Sequence, residues 1–138
     1  METHYYLDSI TETEFRFNPE FDYGSLTSDN IRFQLGYDVS PMTDDDKVAL
    51  SVKATLSCAD ISLASNALRL VFGVSPLNSV LSVKKDGTLI AHEPTVIDNL
   101  LMVSVGTLRG VLMKNLNVTP LAQFHLPLVS PDVLHRDR

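Results

Sequence analysis

The sequence predicts an α+β fold, a four-stranded antiparallel meander sheet packed by a long helix in the C-terminal half. Two observations carry this reading. Long stretches of the first half alternate apolar and polar residues with a period of two. After Pro94 the apolar spacing switches to three and four, as on one face of a helix.

The clearest strand begins at Ile31. Ile31, Phe33, Leu35, Tyr37 and Val39 point one way, and Arg32, Gln34, Gly36, Asp38 and Ser40 the other, because successive strand side chains face opposite sides. The stretch from Ser40 to Asp46 (Ser-Pro-Met-Thr-Asp-Asp-Asp) is turn chemistry. Beyond it, Val48, Leu50, Val52, Ala54, Leu56 and Cys58 form a second apolar face, with Ser51, Lys53, Thr55 and Ser57 opposite. These two runs are expected to pair as an antiparallel hairpin.

The N-terminal stretch alternates more weakly. Tyr5, Leu7, Phe15 and Phe17 share one parity, and Asp8, Glu12, Glu14 and Arg16 the other, up to Asn18-Pro19. Proline has no N–H for the ladder and ends that strand. A fourth strand is expected over about Ala67 to Val74, with Leu68, Leu70, Phe72 and Val74 on one face. Pro76 interrupts it, and extended structure resumes from Val80 to Val83, up to the Asp86-Gly87 turn.

In the second half Ile97, Leu101, Val105, Leu108, Leu112 and Leu116 define an amphipathic helix of about five to six turns. Pro94 suits its first position, and Asp98 and Lys114 complement the dipole at the two ends. Asn117 and Pro120 stop it. A second apolar set, Val96, Leu100, Val103 and Val111, lies almost opposite part of the first. A helix apolar on most of its circumference needs cover on two sides. One sheet supplies one side, so these four residues are the expected contact with a second subunit. The alternative cover is the chain's own tail, Leu121 to Leu134.

The 138 residues suffice for one domain, residues 1–138, with a real core. At 44% hydrophobic and 20% charged residues, disorder and low complexity are excluded. Eleven basic against 17 acidic side chains, a net charge of -6, weigh against nucleic acid, whose phosphates would be repelled. A single cysteine rules out an internal disulfide framework and a four-cysteine zinc site. It fits a reducing compartment, and the N-terminus carries no basic-then-apolar signal, so a cytoplasmic protein is expected. Asp98, Asn99, Arg109 and Lys114 interrupt the longest apolar stretch, Thr95 to Leu116, and argue against membrane insertion.

No motif for catalysis emerges. Gly106 and Gly110 sit inside the helix and precede no Lys-Ser/Thr pair, so there is no phosphate loop. His4, His92, His125 and His135 form no metal-binding spacing. Cys58 falls on an apolar strand face, where a structural thiol outweighs a nucleophile. Asp44, Asp45 and Asp46 lack the alternating ligand spacing of a calcium loop and read as a solvated hairpin tip. No catalytic residue, metal or cofactor is expected, and the chain reads as a binding protein. The segment Val118 to Leu134, with three prolines and many apolar side chains, suits either a groove beside the helix or a seal on the core.

In order and spacing these elements resemble the SecB family of cytosolic export chaperones over most of the chain. Four long strands precede a helix, and the Pro-rich string Pro127-Leu128-Val129-Ser130-Pro131-Asp132-Val133-Leu134 follows it. The Val39 to Ser57 hairpin with its acidic tip is similar to the family's second and third strands. So is Ile10 to Pro19, where a carboxylate, two alternating phenylalanines and a proline recur. The resemblance implies a homotetramer built as a dimer of dimers. It would hold unfolded or nascent polypeptides in apolar grooves without ATP, metal or cofactor, and deliver them to translocation through the SecA motor. By position it implies a client groove near Phe72, Leu77, Val80, Leu121, Phe124 and Leu126. It also implies docking of the motor or another partner at Glu14 and Leu68. Asn18 stands where the family has a further acidic residue, and Arg69 adds a positive charge to the fourth strand. The last residues, His135-Arg136-Asp137-Arg138, lack the basic, zinc-dependent tail that serves SecA, which weighs against that partner. SecB-like chaperones dedicated to one client, such as the antitoxin of a toxin–antitoxin system, share the fold and tolerate these losses.

Overall fold

The computed structural model describes residues 4 to 123. Its strongest element is the expected hairpin, β2 (Arg32–Met42) against β3 (Lys47–Cys58). Phe33 lies opposite Leu56, Leu35 opposite Ala54, Tyr37 opposite Val52 and Val39 opposite Leu50, so both alternating faces coincide. The tip is tighter than the turn residues suggested. Pro41 and Met42 stay in the ladder, and Asp46 closes the turn in the left-handed region at φ 51. Asp46 is also more than a solvated tip residue. Its carbonyl accepts from the Val74 N–H at 2.8 Å and its Oδ1 from the Leu77 N–H at 3.3 Å.

The hairpin continues into β4 (Ile61–Ser75), which starts well before Ala67. Polar Ser62, Ser65 and Asn66 masked this half of the strand in the sequence. The β3–β4 turn was equally silent, because Ala59 and Asp60, at φ 47 and 68, occupy positions where Gly and Asn give the usual signal. The expected four-stranded antiparallel sheet under one long helix is present, in the order β1-β4-β3-β2. Strands β2 to β4 form the meander, and β1 (His4–Phe17) crosses to the far edge beside β4.

Strand β1 follows β4 through two register shifts, between Leu7 and Ser9 and between Glu12 and Glu14. Each bulge inverts the parity. Tyr5 and Leu7 lie opposite Val74 and Phe72, Ile10 and Glu12 opposite Leu70 and Leu68, Phe15 and Phe17 opposite Asn66 and Ala64. The four expected apolar residues therefore do share a face. Glu12, expected with Asp8, Glu14 and Arg16, joins the apolar side instead. On the other side the Tyr6 ring lies across Gly73, where any side chain would collide with it.

After β4, the Ser75-Pro76 bond is cis and a 3-10 turn at Leu77–Ser79 leads to β5 (Leu81–Val83). A partner strand, β6 (Leu89–Ala91), was not anticipated. The two pair around the Asp86-Gly87 turn, with Gly87 at φ 87. Helix α1 (Pro94–Leu116) begins with Pro94 as expected, and the Asn117 N–H bonds back to the Lys114 carbonyl. By length and composition it could cross a membrane, with a mean hydropathy of 1.5. In this fold it covers the sheet instead, packing on β3 and β4. Leu101, Leu108, Leu112 and Leu116 interlock with Val48, Leu50, Val52, Leu68, Leu70 and Phe72 in one core.

Leu112 is fully buried at the centre of that contact. Leu112→Ala is expected to lower unfolding stability by about 3 kcal/mol, the transfer loss plus a cavity, as read by denaturant titration.

Candidate functional site

Four of the six residues expected by position to line a groove lie among the described residues, and all four are buried. Phe72, Leu77, Val80 and Leu121 are core residues, none more than 3% exposed. Phe72 lies on the helix-facing parity of a central strand, and Leu77 and Val80 flank a turn that tucks beneath the helix side. Phe124 and Leu126 lie outside the described residues. Leu68, expected to dock a partner, is also sealed under α1. Of the expected subunit contacts, Leu100 is buried in this chain's own core, Val96 and Val111 are half-buried, and Val103 is exposed. The sequence period identified which residues were apolar; it did not separate those already covered.

Among the described residues, one uncovered apolar surface is the helix-side face of β1. Tyr5, Leu7, Ile10 and Phe15 are each between 38% and 49% exposed. They form one stripe along an edge strand, on the side that faces α1. A second uncovered stripe runs down the helix through Val103, Gly106, Gly110 and Met113. Each glycine inside a helix costs about 1 kcal/mol relative to alanine. No atom lies within 4 Å of the Cβ that either glycine lacks, so the helix backbone is open to close approach here.

A polar clamp joins these two elements. The Asn66 amide, buried in β4, donates to Glu12 Oε2 at 2.9 Å and to the Glu14 carbonyl at 2.7 Å. The Asn115 amide on the helix donates to the same Glu12 oxygen at 2.8 Å and to Asn66 Oδ1 at 3.0 Å. The register shift between Leu7 and Ser9 turns the Glu12 carboxylate inward to meet both amides, and the one between Glu12 and Glu14 turns Glu14 outward. Simple parity hid this residue.

Glu14 emerges on the opposite face. Its Oε2 accepts from the Ser65 hydroxyl at 2.8 Å and lies 3.2 Å from Lys53 Nζ, while Oε1 is 3.5 Å from Arg16 Nε. The Ser65 hydrogen bond first, and then Lys53 and Arg16, hold its pKa below the ordinary 4.5. The carboxylate expected to dock a motor is thus engaged by its own sheet. Asn18 has a structural task as well, its amide donating to the Ser62 carbonyl at 3.2 Å and its Oδ1 accepting from the Glu20 N–H.

Among the described residues no group of three His, Cys, Asp or Glu side chains is placed to hold a metal ion. One contact of the nucleophile–base type occurs, Ser82 Oγ to His92 Nε2 at 2.9 Å. It sits exposed on the β5–β6 hairpin, and no third group among the described residues orients the imidazole.

No protein-family model and no curated protein matches the sequence. Solved structures do match the fold. One is a Mycobacterium tuberculosis SecB-like chaperone in complex with a ChAD peptide from the HigA1 antitoxin. It is 11% identical, with a TM-score of 0.52, and the match covers 91% of this chain and 88% of that one. The chain therefore has the fold of a SecB-like chaperone, as its strand and helix order led one to expect.

Folding lowers the Glu14 pKa, so its pairing stabilises the protein above the ordinary carboxylate range and is lost as pH falls through the folded-state value. In a carboxyl NMR titration the Glu14 midpoint is expected below 4.5 and should move upward in Ser65→Ala. An unmoved midpoint would assign the shift to the two cations alone.

Proposed function

We propose that this chain is an ATP-independent holdase chaperone that keeps unfolded or nascent polypeptides extended, working as a homotetramer in the cytoplasm. The observation that carries the reading is the apolar stripe of Tyr5, Leu7, Ile10 and Phe15 on an edge strand. Extended clients present apolar side chains at alternate positions, matching such a stripe, while the strand edge offers main-chain hydrogen bonds for strand addition. Each contact is weak, since burial yields about 25 cal/mol per Å² before ordering costs. Several copies in one assembly raise the effective concentration and tighten binding. The SecB-like fold supports the reading, and the helix stripe of Val103, Gly106, Gly110 and Met113 suits the subunit contact.

Delivery to SecA has less support, because Leu68 is buried and Glu14 is paired within the sheet. A second reading is a chaperone dedicated to one partner. It is favoured by the structural neighbour, whose complex holds an antitoxin peptide.

The decisive experiment is light scattering from a slowly refolding client with near-stoichiometric chaperone and no nucleotide. Suppressed aggregation that is lost in Ile10→Asp is the expected result, because a carboxylate in the stripe resists dehydration. No suppression across several clients would leave the dedicated partner as the better reading. On a sizing column with light scattering, the protein should run near 61 kDa, four times 15.3 kDa. Val103→Asp should shift it to a smaller species, and an unchanged mass would remove the helix stripe from the interface.

A further inference from the structure

Helix α1 delivers the chain to one end of the uncovered β1 stripe. It starts where the His92 and Glu93 N–H groups reach the Val80 carbonyl, just beyond the Ser75 end of β4. By Asn115 it has reached Asn66 and Glu12. His4 lies opposite Ser75 and Phe15 opposite Asn66, so the helix runs alongside β1 in the same direction and finishes near the Phe15 end. The 3-10 turn Pro120–Gln123 then folds against α1 and buries Leu121, which anchors the chain three residues before Phe124.

The residues that follow match this stripe in length and in period. Residues 5–15 and 124–134 are each eleven residues long, roughly 35 Å when extended. Phe124, Leu126, Leu128 and Leu134 share one parity, so an extended backbone would place them on one face. Pro127 and Pro131 both fall on the other parity. Backbone groups of alternate residues point to opposite edges of a strand, so both missing N–H groups fall on one edge and the other edge stays complete. In the described sheet β1 pairs with β4 alone and leaves its outer edge open. Proline also fixes φ and lowers the entropy lost on docking. The helix stripe of Val103 and Met113 suits such a segment less well, because its positions recur at helical spacing whereas the segment alternates with a period of two.

We propose that the β1 stripe is the docking site of this chain's own residues 124–134, laid antiparallel to β1 as a tethered competitor of clients. The competitor role rests on the holdase reading; the docking itself does not. A tethered segment acts at an effective concentration on the order of millimolar. It shields the stripe from single weak contacts and yields to a long client that engages several copies at once.

The test uses the full chain, isotope-labelled, with Cys58→Ser and Ser130→Cys and a nitroxide on the introduced thiol. The amide signals of Leu7 and Ile10 should broaden while those of Val103 and Met113 stay sharp. The broadening should survive dilution into excess unlabelled, untagged chain. Adding Leu126→Asp and Leu128→Asp should abolish it and raise the affinity for a short apolar peptide about threefold. Broadening of the helix stripe instead, none on β1, or its loss on dilution, which would assign the contact to a second copy, overturns the docking. Unchanged peptide affinity in the Leu126, Leu128 variant overturns the competitor role. Broadening on β1 in a chain that binds no peptide at all supports the docking and sinks the holdase reading.

Discussion

One helix is too narrow for this sheet. An α-helix with its side chains is about 10–12 Å across, and neighbouring strands are spaced about 4.8 Å, so a single helix covers roughly two strands. Helix α1 lies on β3 and β4, the two central strands. The edges must find other cover. Strand β2 is half-covered, because the crossing segment and β5 bring Phe21, Tyr23, Leu26 and Leu81 to the same core. Among the described residues α1 reaches β1 through Asn115 at Glu12, and Tyr5, Leu7, Ile10 and Phe15 remain partly open. Among the described residues, the exposed stripe is a consequence of layer geometry, on an edge strand whose apolar side chains the helix leaves partly uncovered.

What keeps that strand in register is polar. A flat, uncovered edge strand is prone to slip, since a shift of one residue exchanges its two faces. Two bulges fix β1 against β4, and the second is pinned by Asn66, which reaches both Glu12 and the Glu14 carbonyl. Leaving a buried amide unsatisfied costs about 1–3 kcal/mol, so the clamp selects one register over its neighbours. Asn115 extends the same clamp to the helix, setting the edge strand and its cover in a defined relation. Among the described residues no buried side-chain polar atom lacks a partner.

How much of this was legible depended on whether a pattern was left unbroken. Strands β2 and β3 and the helix alternate without interruption, and each was readable to within a residue or two. The early half of β4 was not, because Ser65 and Asn66 spend their polarity on Glu14 and Glu12 of β1 rather than on solvent. The Ala59-Asp60 turn carries no glycine to announce its left-handed backbone. In β1 the two parity inversions nearly cancel for the aromatic residues and misplace only Glu12. The site was less legible than the fold for a further reason. Phe72, Leu68 and Leu100 have the same apolar character as Ile10 and Val103, and only the position of the helix decides which of them meets solvent.

The two faces of the sheet can therefore diverge in chemistry while sharing every strand. Neighbouring residues on a strand face opposite sides, so the inner face is free to stay apolar while the outer one accumulates Arg32, Lys53 and Glu14. Their point of contact is the second β1 bulge, where Glu12 turns inward and Glu14 outward within three residues. Asn66 bonds to both, through a side-chain oxygen of one and the backbone of the other. Asn66 therefore holds the strand on both sides of the bulge, next to the segment that aligns Glu14 with Ser65 and Lys53.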